Sequence, residues 1–320
     1  MPEPRQVGQR SEAELIARLE ARHGATSPVV RQGIGDDSAV LTLPPKSLAS
    51  IDSCVEGRHF DPGRMGWADI GWRAVSTALS DLAAMGGRPL VHLLAINMPA
   101  SLREDDFTSL VDGLAEAAEH SASVLVGGNL GAAEAVSITT TVIGQANRPV
   151  GRTGGQVGDR LVVSGTLGLA ALGREAILFG GVASEAARQA FLRPEPAWGA
   201  AALFSAGGAS AMIDVTDGLA LDLSRLLHPG ASGADLRREA LVAALGGDQS
   251  ADLERALYGG DDYCLVAAVP ESAWPKLQAE FSAKRLSLSS IGQLSREPGL
   301  RLDGQEIRVA GYDHFGGRRP

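Results

Sequence analysis

Gly33-Ile34-Gly35-Asp36-Asp37 places two adjacent aspartates in a glycine-rich turn, and turns of the same kind recur along nearly the whole chain. Glycine permits sharp turns, and clustered carboxylates bind hard cations. The other aspartates in such settings are Asp52, Asp81, Asp214, Asp217, Asp261 and Asp262. Any one of them could be a simple turn former, but the series as a whole predicts magnesium held around a phosphate-rich substrate.

The basic residues support the same prediction. Of the 29 Lys and Arg residues only Lys46, Lys276 and Lys284 are lysines, and none lies in a Gly-x-x-x-x-Gly-Lys-Ser/Thr loop. P-loop enzymes and protein kinases use a placed lysine together with Mg²⁺ to neutralise crowded phosphates. In this chain the metal ions would have to neutralise most of the phosphate charge.

Composition describes an ordinary globular chain. With 320 residues, 44% hydrophobic and 21% charged, the length fits one large or two medium domains, and we expect two. The net charge of −9 argues against nucleic-acid binding, which normally requires a basic face. An acidic excess also agrees with several Mg²⁺ sites.

Cysteines and hydropathy indicate the compartment. Cys54 and Cys264 are the only cysteines, too few for a disulfide framework and without zinc-site spacing. The first residues lack a charged-then-apolar signal, and no uninterrupted apolar run reaches the roughly 18 residues of a spanning helix. We therefore expect a cytoplasmic protein with no membrane association.

The hydrophobic pattern predicts helices and strands in both halves. Ser11 with Glu14 has capping-box spacing before an apolar helical face, and a second helix is expected from Ala68 to Met85, with Asp81 in its last turns. Residues 90–98, 124–126 and 136–143 read as strands in the first half; residues 212–215, 263–269 and 288–292 read as strands in the second. Helices are expected at 103–121, 167–179 and 219–227.

These elements predict an α/β (α+β) chain of two domains. A Gly-, Pro- and Arg-rich stretch follows Asn147, and Leu161-Val162-Val163-Ser164-Gly165 then begins a new apolar segment, so we place the boundary near residue 150. The domain over 1–150 is β-rich, with a mixed sheet and helices. The domain over 151–320 alternates helices and strands, which implies a mixed sheet covered by helices.

Eight short motifs follow one another along nearly the whole chain. They are Glu14-Leu15-Ile16-Ala17-Arg18-Leu19, Gly33-Ile34-Gly35-Asp36-Asp37, Val55-Glu56-Gly57-Arg58-His59-Phe60, Leu79-Ser80-Asp81-Leu82-Ala83-Ala84-Met85-Gly86, Leu192-Arg193-Pro194-Glu195-Pro196, Thr216-Asp217-Gly218-Leu219, Gly259-Gly260-Asp261-Asp262-Tyr263 and Gly311-Tyr312-Asp313-His314-Phe315. Each motif is weak alone, but the ordered set resembles that of the thiamine-monophosphate kinase family, part of the superfamily that includes aminoimidazole ribonucleotide synthase.

The resemblance implies Mg²⁺-dependent transfer of the ATP γ-phosphoryl group to thiamine monophosphate, giving thiamine diphosphate and ADP. A phosphate monoester has a second pKa of about 6, so the attacking oxygen is already mostly unprotonated at neutral pH. No catalytic base is obligatory, and the obstacle is repulsion between two anions. The resemblance also implies a homodimer whose first domains pair to build the nucleotide cleft, with the second domain completing the active site.

The resemblance assigns roles residue by residue. Metal ligands fall on Asp37, Ser50, Ile51 (through its backbone carbonyl only), Asp52, Asp81, Asn129, Asp214 and Asp217. Nucleotide contacts fall on Gly128, Asn129, Arg152 and Thr216, and thiamine-side contacts fall on His59, Asp261 and Tyr312. Within this set we expect Asp52, Asp81, Asp217 and Arg152 to serve catalysis directly.

Four positions depart from the commonest form of the family's motifs. Asn129 stands in place of a metal-binding aspartate and brings one negative charge fewer, so weaker metal affinity is expected. The stretch Leu130-Gly131-Ala132-Ala133 lacks a usual arginine, whose role Arg152 could take. Asp261 is one methylene shorter than the usual glutamate, for which Asp262 could compensate, and Thr216 replaces a serine but keeps its hydroxyl.

Two other functions remain open from the sequence. A sister enzyme of the superfamily would use ATP on another substrate, although selenophosphate synthase and the hydrogenase-maturation relative rely on terminal cysteines or selenocysteine that the pattern here does not match. A non-catalytic nucleotide-binding homologue is conceivable because of Asn129 and the missing arginine. Retention of five of the expected acidic ligands, Asp37, Asp52, Asp81, Asp214 and Asp217, argues against it.

Overall fold

The computed structural model describes residues 5–23, 26–34, 37–245 and 252–313. It divides into two compact units: Met1–Leu82 with Arg88–Ala146, and Ala83–Gly87 with Asn147–Pro320. The boundary expected near residue 150 lies just beyond this division. Gly35, Asp36, His314 and Phe315, which belong to two of the motifs quoted above, fall outside the described residues.

Ten α-helices and thirteen strands are found in the described part of the chain. The helices are α1 (Glu12–Arg22), α2 (Trp67–Ala84), α3 (Glu104–His120), α4 (Leu169–Glu175), α5 (Glu185–Leu192), α6 (Trp198–Gly207), α7 (Leu219–Ser224), α8 (Arg238–Ala243), α9 (Leu253–Tyr258) and α10 (Trp274–Ala283). The strands are β1 (Val30–Gln32), β2 (Val40–Leu41), β3 (Ser47–Val55), β4 (Arg88–Met98), β5 (Val124–Ala132), β6 (Ser137–Gln145), β7 (Arg160–Ser164), β8 (Ala211–Asp214), β9 (Gly233–Leu236), β10 (Leu265–Val269), β11 (Leu288–Ser295), β12 (Gly299–Leu302) and β13 (Gln305–Ile307).

The first unit is built on a four-stranded mixed sheet in the order β3-β6-β4-β5. Only β4 and β5 are parallel, and the other neighbours are antiparallel. Helix α2 packs on one face of this sheet, where the Thr140 hydroxyl of β6 donates to the Ala74 carbonyl of α2 at 2.7 Å. The sheet and α2 together place the polar end of β3 beside the last turns of the helix.

The N-terminal helix begins as its sequence predicts and is tied to α3 by ion pairs. The Ser11 hydroxyl and the Glu14 carboxylate cap each other's backbone N–H groups, which confirms the capping box. Arg10 and Arg18 both pair with Glu104, at 2.6 and 3.0 Å, and Arg22 pairs with Asp112 at 3.0 Å. These side chains fix α1 along the length of α3.

The second unit is a seven-stranded mixed sheet in the order β13-β12-β9-β11-β7-β10-β8, with β12 and β9 as its parallel pair. Both faces are covered, because alternate residues of β7 enter two different cores: Leu161 and Val163 pack in one, Val162 in the other. Strands buried on both faces read as continuous apolar runs. The expected two-domain fold with a mixed sheet in each half is confirmed.

Two of the predicted boundaries differ most from the structure. Gly127-Gly128-Asn129 does not end a strand, because β5 continues to Ala132 alongside β4. The helix expected over 167–179 is α4 only as far as Glu175, after which residues 176–180 form a wider π-helical turn. No helix in the described ranges is both long and apolar enough to span a membrane.

Candidate functional site

In the second unit, the expected ligands Asp214 and Asp217 flank the end of a buried strand. β8 ends at Asp214, which is 3% exposed, and the chain then runs through Val215-Thr216-Asp217-Gly218 into α7. Gly218 adopts φ +116°, a conformation that side chains disfavour. The sharp turn leaves Thr216 and Asp217 partly exposed at the start of α7.

A second loop, residues 259–263, runs beside the loop 215–218. The Asp261 N–H donates to the Thr216 carbonyl at 2.8 Å, and the Tyr263 N–H donates to the Val215 carbonyl at 2.9 Å. Gly260 makes this approach possible, since a Cβ there would lie 2.5 Å from the Thr216 oxygen. The two acidic motifs, 45 residues apart in sequence, therefore form one surface.

Asp222 and Arg225, which the sequence analysis did not single out, hold the Thr216-Asp217 turn in place. One carboxylate oxygen of Asp222 accepts the N–H groups of Thr216 and Asp217, each at 2.9 Å. Arg225 pairs with the other oxygen of Asp222 and, at 2.7 Å, with the carboxylate of Asp217. Asp222 is fully buried, so the turn is fastened to the interior.

The expected thiamine-side residues Asp261 and Tyr312 both adjoin this turn. Asp261 pairs with Arg174 of α4 at 2.8 Å, with both side chains about one-fifth exposed (18% and 21%). The Tyr312 N–H donates to the Asp217 carbonyl at 2.8 Å. The structure thus brings Thr216, Asp217, Asp261 and Tyr312 together within the second unit.

Asp262 has an unusual environment for a carboxylate. Its Oδ2 accepts the Gly168 N–H at 2.9 Å, while its Oδ1 is buried without a hydrogen-bond partner. Burial raises the pKa of Asp262 to about 8, against the opposing effect of the backbone hydrogen bonds. The carboxyl is therefore mostly protonated at neutral pH, and it fastens the second loop to the start of α4.

Replacing Asp262 by asparagine should flatten the pH dependence of stability in the second unit. Because the folded pKa lies above the ordinary value of 3.8, the folded state holds the proton more tightly, and the free energy of unfolding falls as pH rises. The loss between about pH 4.5 and 7 amounts to about 3 kcal/mol. Hydrogen exchange of β8 and β10 amides at several pH values measures it. The exposed Asp105→Asn is the control, and an equally steep dependence in D262N would contradict the assignment.

In the first unit, Ser50 of β3 and Asp81 of α2 are in contact. The Ser50 hydroxyl donates to the Asp81 carboxylate at 2.5 Å. Asp52 is two residues further along β3 and opposite Thr140, so it lies on the same face as Ser50, towards α2. The Ile51 side chain points the other way and is 64% exposed. Three of the expected ligands thus share one face at the edge of the sheet.

Gly128 and Asn129 lie at the opposite edge of that sheet. Asp52, Thr140, Leu94 and Gly128 stand in one row across the four strands, and three strand spacings amount to about 14 Å. Asn129 occupies the neighbouring row and is exposed. A Cβ on Gly128 would lie 2.0 Å from the Leu94 carbonyl oxygen, so this position requires glycine for strand packing. Within the unit, Asn129 does not join Ser50 and Asp81.

Asp37, His59 and Arg152 are the remaining expected residues. Asp37 is exposed between β1 and β2. The His59 Nδ1 accepts the Val55 N–H at 3.0 Å, which leaves the Nε2 of the neutral ring carrying the proton and able to donate. Arg152 is exposed and forms no hydrogen bond or ion pair with any other residue that the structure describes.

These residues fit magnesium by their chemistry. Among the described residues no three His, Cys, Asp or Glu side chains of either unit already converge as a metal-binding group. The donors that do meet, Ser50 and Asp81, supply oxygen only, as do Asp214 and Asp217. Oxygen donors with few carboxylates are what Mg²⁺ takes when substrate phosphates complete its coordination.

Sequence reasoning missed Arg174, Asp222 and Arg225. The first comes close to Asp261 only through the fold, 87 residues away, so no local signal could reveal it. Asp222 and Arg225 follow Asp217 by five and eight residues. The available signal for Asp222 was its position early in a short helix that follows a glycine turn. Acids at such positions accept hydrogen bonds from the free N–H groups at the start of the helix.

Comparison with known proteins agrees with the sequence resemblance. Residues 35–146 match the N-terminal domain of AIR synthase related proteins, and residues 156–305 match the C-terminal domain. The thiamine-monophosphate kinase of Methanospirillum hungatei is 32% identical over 87% of this chain and 92% of its own length. That of Mycobacterium tuberculosis is 32% identical over 96% of this chain and 92% of its own.

Solved structures give the same result. The thiamine-monophosphate kinase of Stenotrophomonas maltophilia superposes with a TM-score of 0.80 at 31% identity, covering 93% of this chain and 98% of that one. AaThiL complexed with AMPPCP and TMP has a TM-score of 0.75 at 28% identity, covering 98% and 100%. Hydrogenase maturation protein HypE shares the fold alone, with a TM-score of 0.73 at 19% identity, covering 94% and 98%. The chain belongs to the thiamine-monophosphate kinase family, within the AIR synthase related proteins.

Proposed function

We infer that this chain transfers the γ-phosphoryl group of ATP to the phosphate of thiamine monophosphate, forming thiamine diphosphate and ADP with the help of Mg²⁺. The observation that carries the proposal is the likeness to AaThiL complexed with AMPPCP and TMP along 98% of this chain. The expected residues of the second unit, from Thr216 to Tyr312, lie on one surface, which supports a single binding site there.

The chemistry that Mg²⁺ would supply when bound is positive charge that offsets the repulsion between the two phosphate groups. We propose several ions, and within the first unit Ser50, Asp52 and Asp81 would hold Mg²⁺, with Asp37 and Asn129 as further oxygen donors. Within the second unit, Asp214 and Asp217 would do so. Rigidity is their contribution: Asp81 is fixed by the Ser50 hydroxyl, and the Asp217 turn is fixed by buried Asp222. Preorganised charge needs no reorganisation during the reaction.

Other side chains would bind and orient the two substrates. Arg152, which is exposed and has no hydrogen-bond or ion-pair partner among the described residues, would bind a phosphate oxygen. The His59 Nε2–H can donate to the thiamine side, and Asp261, paired with Arg174, can accept a hydrogen bond from it. Gly128 and Thr216 would contact the nucleotide.

A chromatographic assay tests the proposal. Purified chain, ATP, Mg²⁺ and thiamine monophosphate should give thiamine diphosphate and ADP in equal amounts, and thiamine as a control acceptor should give none. Mg²⁺-dependent ATP binding without product would point to another substrate or to a non-catalytic binder.

The proposed enzyme is a cytoplasmic homodimer whose first units pair. Support comes from the outer face of β3, where Ile51 is 64% exposed beside other partly exposed residues of the sheet. Large exposed apolar side chains on a sheet favour association. Light scattering of the purified chain measures the mass, and Ile51→Glu should shift it towards the monomer.

Asn129→Asp should lower the Mg²⁺ concentration needed for the half-maximal rate. The change restores one negative charge at an exposed position of β5, and hard cations bind carboxylates more tightly than amides. Initial rates across a Mg²⁺ series measure the effect, which we expect to be severalfold. Asn147→Asp adds the same charge at another exposed asparagine and should leave the requirement unchanged. An unaltered or higher requirement in N129D would refute the account of this position.

A further inference from the structure

Arg225 binds two carboxylates with the two arms of one guanidinium group. Its Nη2 donates to the Asp217 Oδ2 at 2.7 Å, and its Nη1 donates to the Asp222 Oδ1. The other oxygen of Asp222 is held by two backbone N–H groups, and the side chain is fully buried. Arg225 is therefore anchored at one end to a group that cannot move easily.

This arrangement leaves the two oxygens of Asp217 unequal. Oδ2 is engaged by Arg225, whereas Oδ1 accepts no hydrogen bond from any residue in the described ranges. The side chain is 19% exposed, and Oδ1 is the oxygen left without a hydrogen bond from the described residues for an incoming ion. A carboxylate with one oxygen paired to a guanidinium offers a cation a single ligand atom.

The number of oxygens offered matters for the choice of ion. Ca²⁺ takes about 6–8 oxygens at about 2.3–2.6 Å and often uses both oxygens of a carboxylate, while Mg²⁺ is octahedral at about 2.0–2.1 Å and takes carboxylates through one oxygen. If Asp217 coordinates only through Oδ1, the number of oxygens that it offers to Mg²⁺ is unchanged. Ca²⁺, in contrast, can no longer use both oxygens of this carboxylate.

We propose that Arg225 is a positioning residue that makes Asp217 a one-oxygen ligand and so favours Mg²⁺ over Ca²⁺ at this site. The proposal deepens the proposed function, because it rests on Asp217 being a metal ligand of the kinase reaction. Arg225 touches neither substrate nor metal in this role and acts through Asp217 alone.

Calorimetric titration of the full chain with MgCl₂ and with CaCl₂, in the presence of AMPPCP, tests the proposal. The measured quantity is the ratio of the Ca²⁺ and Mg²⁺ dissociation constants. Arg225→Gln removes the positive charge and the guanidinium group that binds both carboxylates. It should lower that ratio about tenfold, mainly through tighter Ca²⁺ binding. Arg225→Lys keeps the charge but cannot bridge both acids, so it should give an intermediate ratio. A ratio within twofold of the unaltered chain in R225Q would overturn the proposal.

Arg255→Gln is the matched control, because Arg255 likewise bridges two carboxylates, Glu175 and Asp252. It should leave the ratio unchanged, and an equal fall there would overturn the proposal by showing a general charge effect. Circular dichroism reports whether each variant folds.

A crystal structure of the unaltered chain with AMPPCP and Mg²⁺ gives a test that needs no variant. The proposal is supported if Oδ2 of Asp217 is still paired with Arg225 and only Oδ1 coordinates the ion. It is overturned if both oxygens of Asp217 coordinate the ion. Neither experiment uses thiamine monophosphate. An active kinase with an unshifted ratio therefore defeats only this inference, whereas a shifted ratio without thiamine diphosphate formation defeats only the proposed reaction.

Discussion

Asp81→Asn is expected to lower kcat about a thousandfold while the fold stays intact. The change removes the negative charge of a proposed Mg²⁺ ligand but keeps its size, and an amide oxygen can still accept the Ser50 hydroxyl that now bonds to the carboxylate. Metal ions supply several kcal/mol of transition-state stabilisation, and a thousandfold loss corresponds to about 4 kcal/mol.

The position of Asp81 makes a purely structural role a poor explanation. It lies three residues before the end of α2 at Ala84, where the partial negative charge of the helix end disfavours an acid. Only a compensating interaction makes such an acid worth keeping. The Ser50 hydroxyl is one neutral donor to this carboxylate, and a bound cation would offset its charge more strongly than a neutral donor does.

Initial rates over a wide Mg²⁺ range, with ATP and thiamine monophosphate saturating, measure the effect. Excess Mg²⁺ should restore little of the rate in D81N, because the ligand charge is gone. Ser50→Ala is the matched control: it removes the partner and keeps the charge, so we expect a loss of only about tenfold. Near-normal turnover of D81N at low Mg²⁺ would show that Asp81 is not a ligand.

The fold was largely predictable where the apolar pattern was regular. Ser11 and Glu14 marked the start of α1, and the helical spacing before Gly86 gave α2 within one residue at each end. Local signals failed at Gly127-Gly128, where the predicted strand over 124–126 stops. Strand β5 continues there because Gly128, which has no side chain, lets the backbone lie close to the Leu94 carbonyl of β4. That requirement comes from the neighbouring strand.

The candidate site was predictable only as a set of residues. Motifs identified Asp217 and Asp261, but not that a backbone bond from Asp261 to the Thr216 carbonyl joins their loops. Nor did they identify the partners that fix these acids, Arg225 and Arg174. Ion pairs between distant segments form only in the packed fold, so the spacing of residues within one segment does not predict them.

The first unit should lose several kcal/mol of stability in mild acid because of two buried histidines. His92 is fully buried and His23 is 7% exposed, and the Nε2 atom of each ring has no hydrogen-bond partner. The His92 Nδ1 lies 2.9 Å from the Ser123 hydroxyl, and the two ring centroids are 6.1 Å apart. Neither ring has a carboxylate partner among the described hydrogen bonds and ion pairs.

Burial sets the direction of the effect. It lowers the pKa of His92 to about 3 and that of His23 to about 4. Smaller effects come from the charge of His23 on His92 and of Arg22 on His23, which lower the pKa, and from Glu119, which raises the pKa of His23. Both pKa values lie below the ordinary value of 6.5, so as pH falls the unfolded chain takes up protons first. The stabilisation is complete above about pH 6.5 and is lost towards the folded pKa values; each histidine should cost about 2 kcal/mol by about pH 5.

Denaturant unfolding between about pH 8 and 5 measures this loss, with Trp67 and Trp72 as reporters for the first unit after Trp198 and Trp274 are changed to phenylalanine. His92→Asn retains a polar atom near Nδ1 for Ser123 but cannot titrate. It should be less stable at pH 8, because the smaller side chain leaves a cavity, yet its stability should fall only about half as much on acidification. His120→Gln, at an exposed histidine, should keep the full dependence. An H92N variant with the same fall as the unaltered chain would mean that His92 takes its proton in the folded state as easily as in the unfolded one, and that burial does not hold this ring neutral.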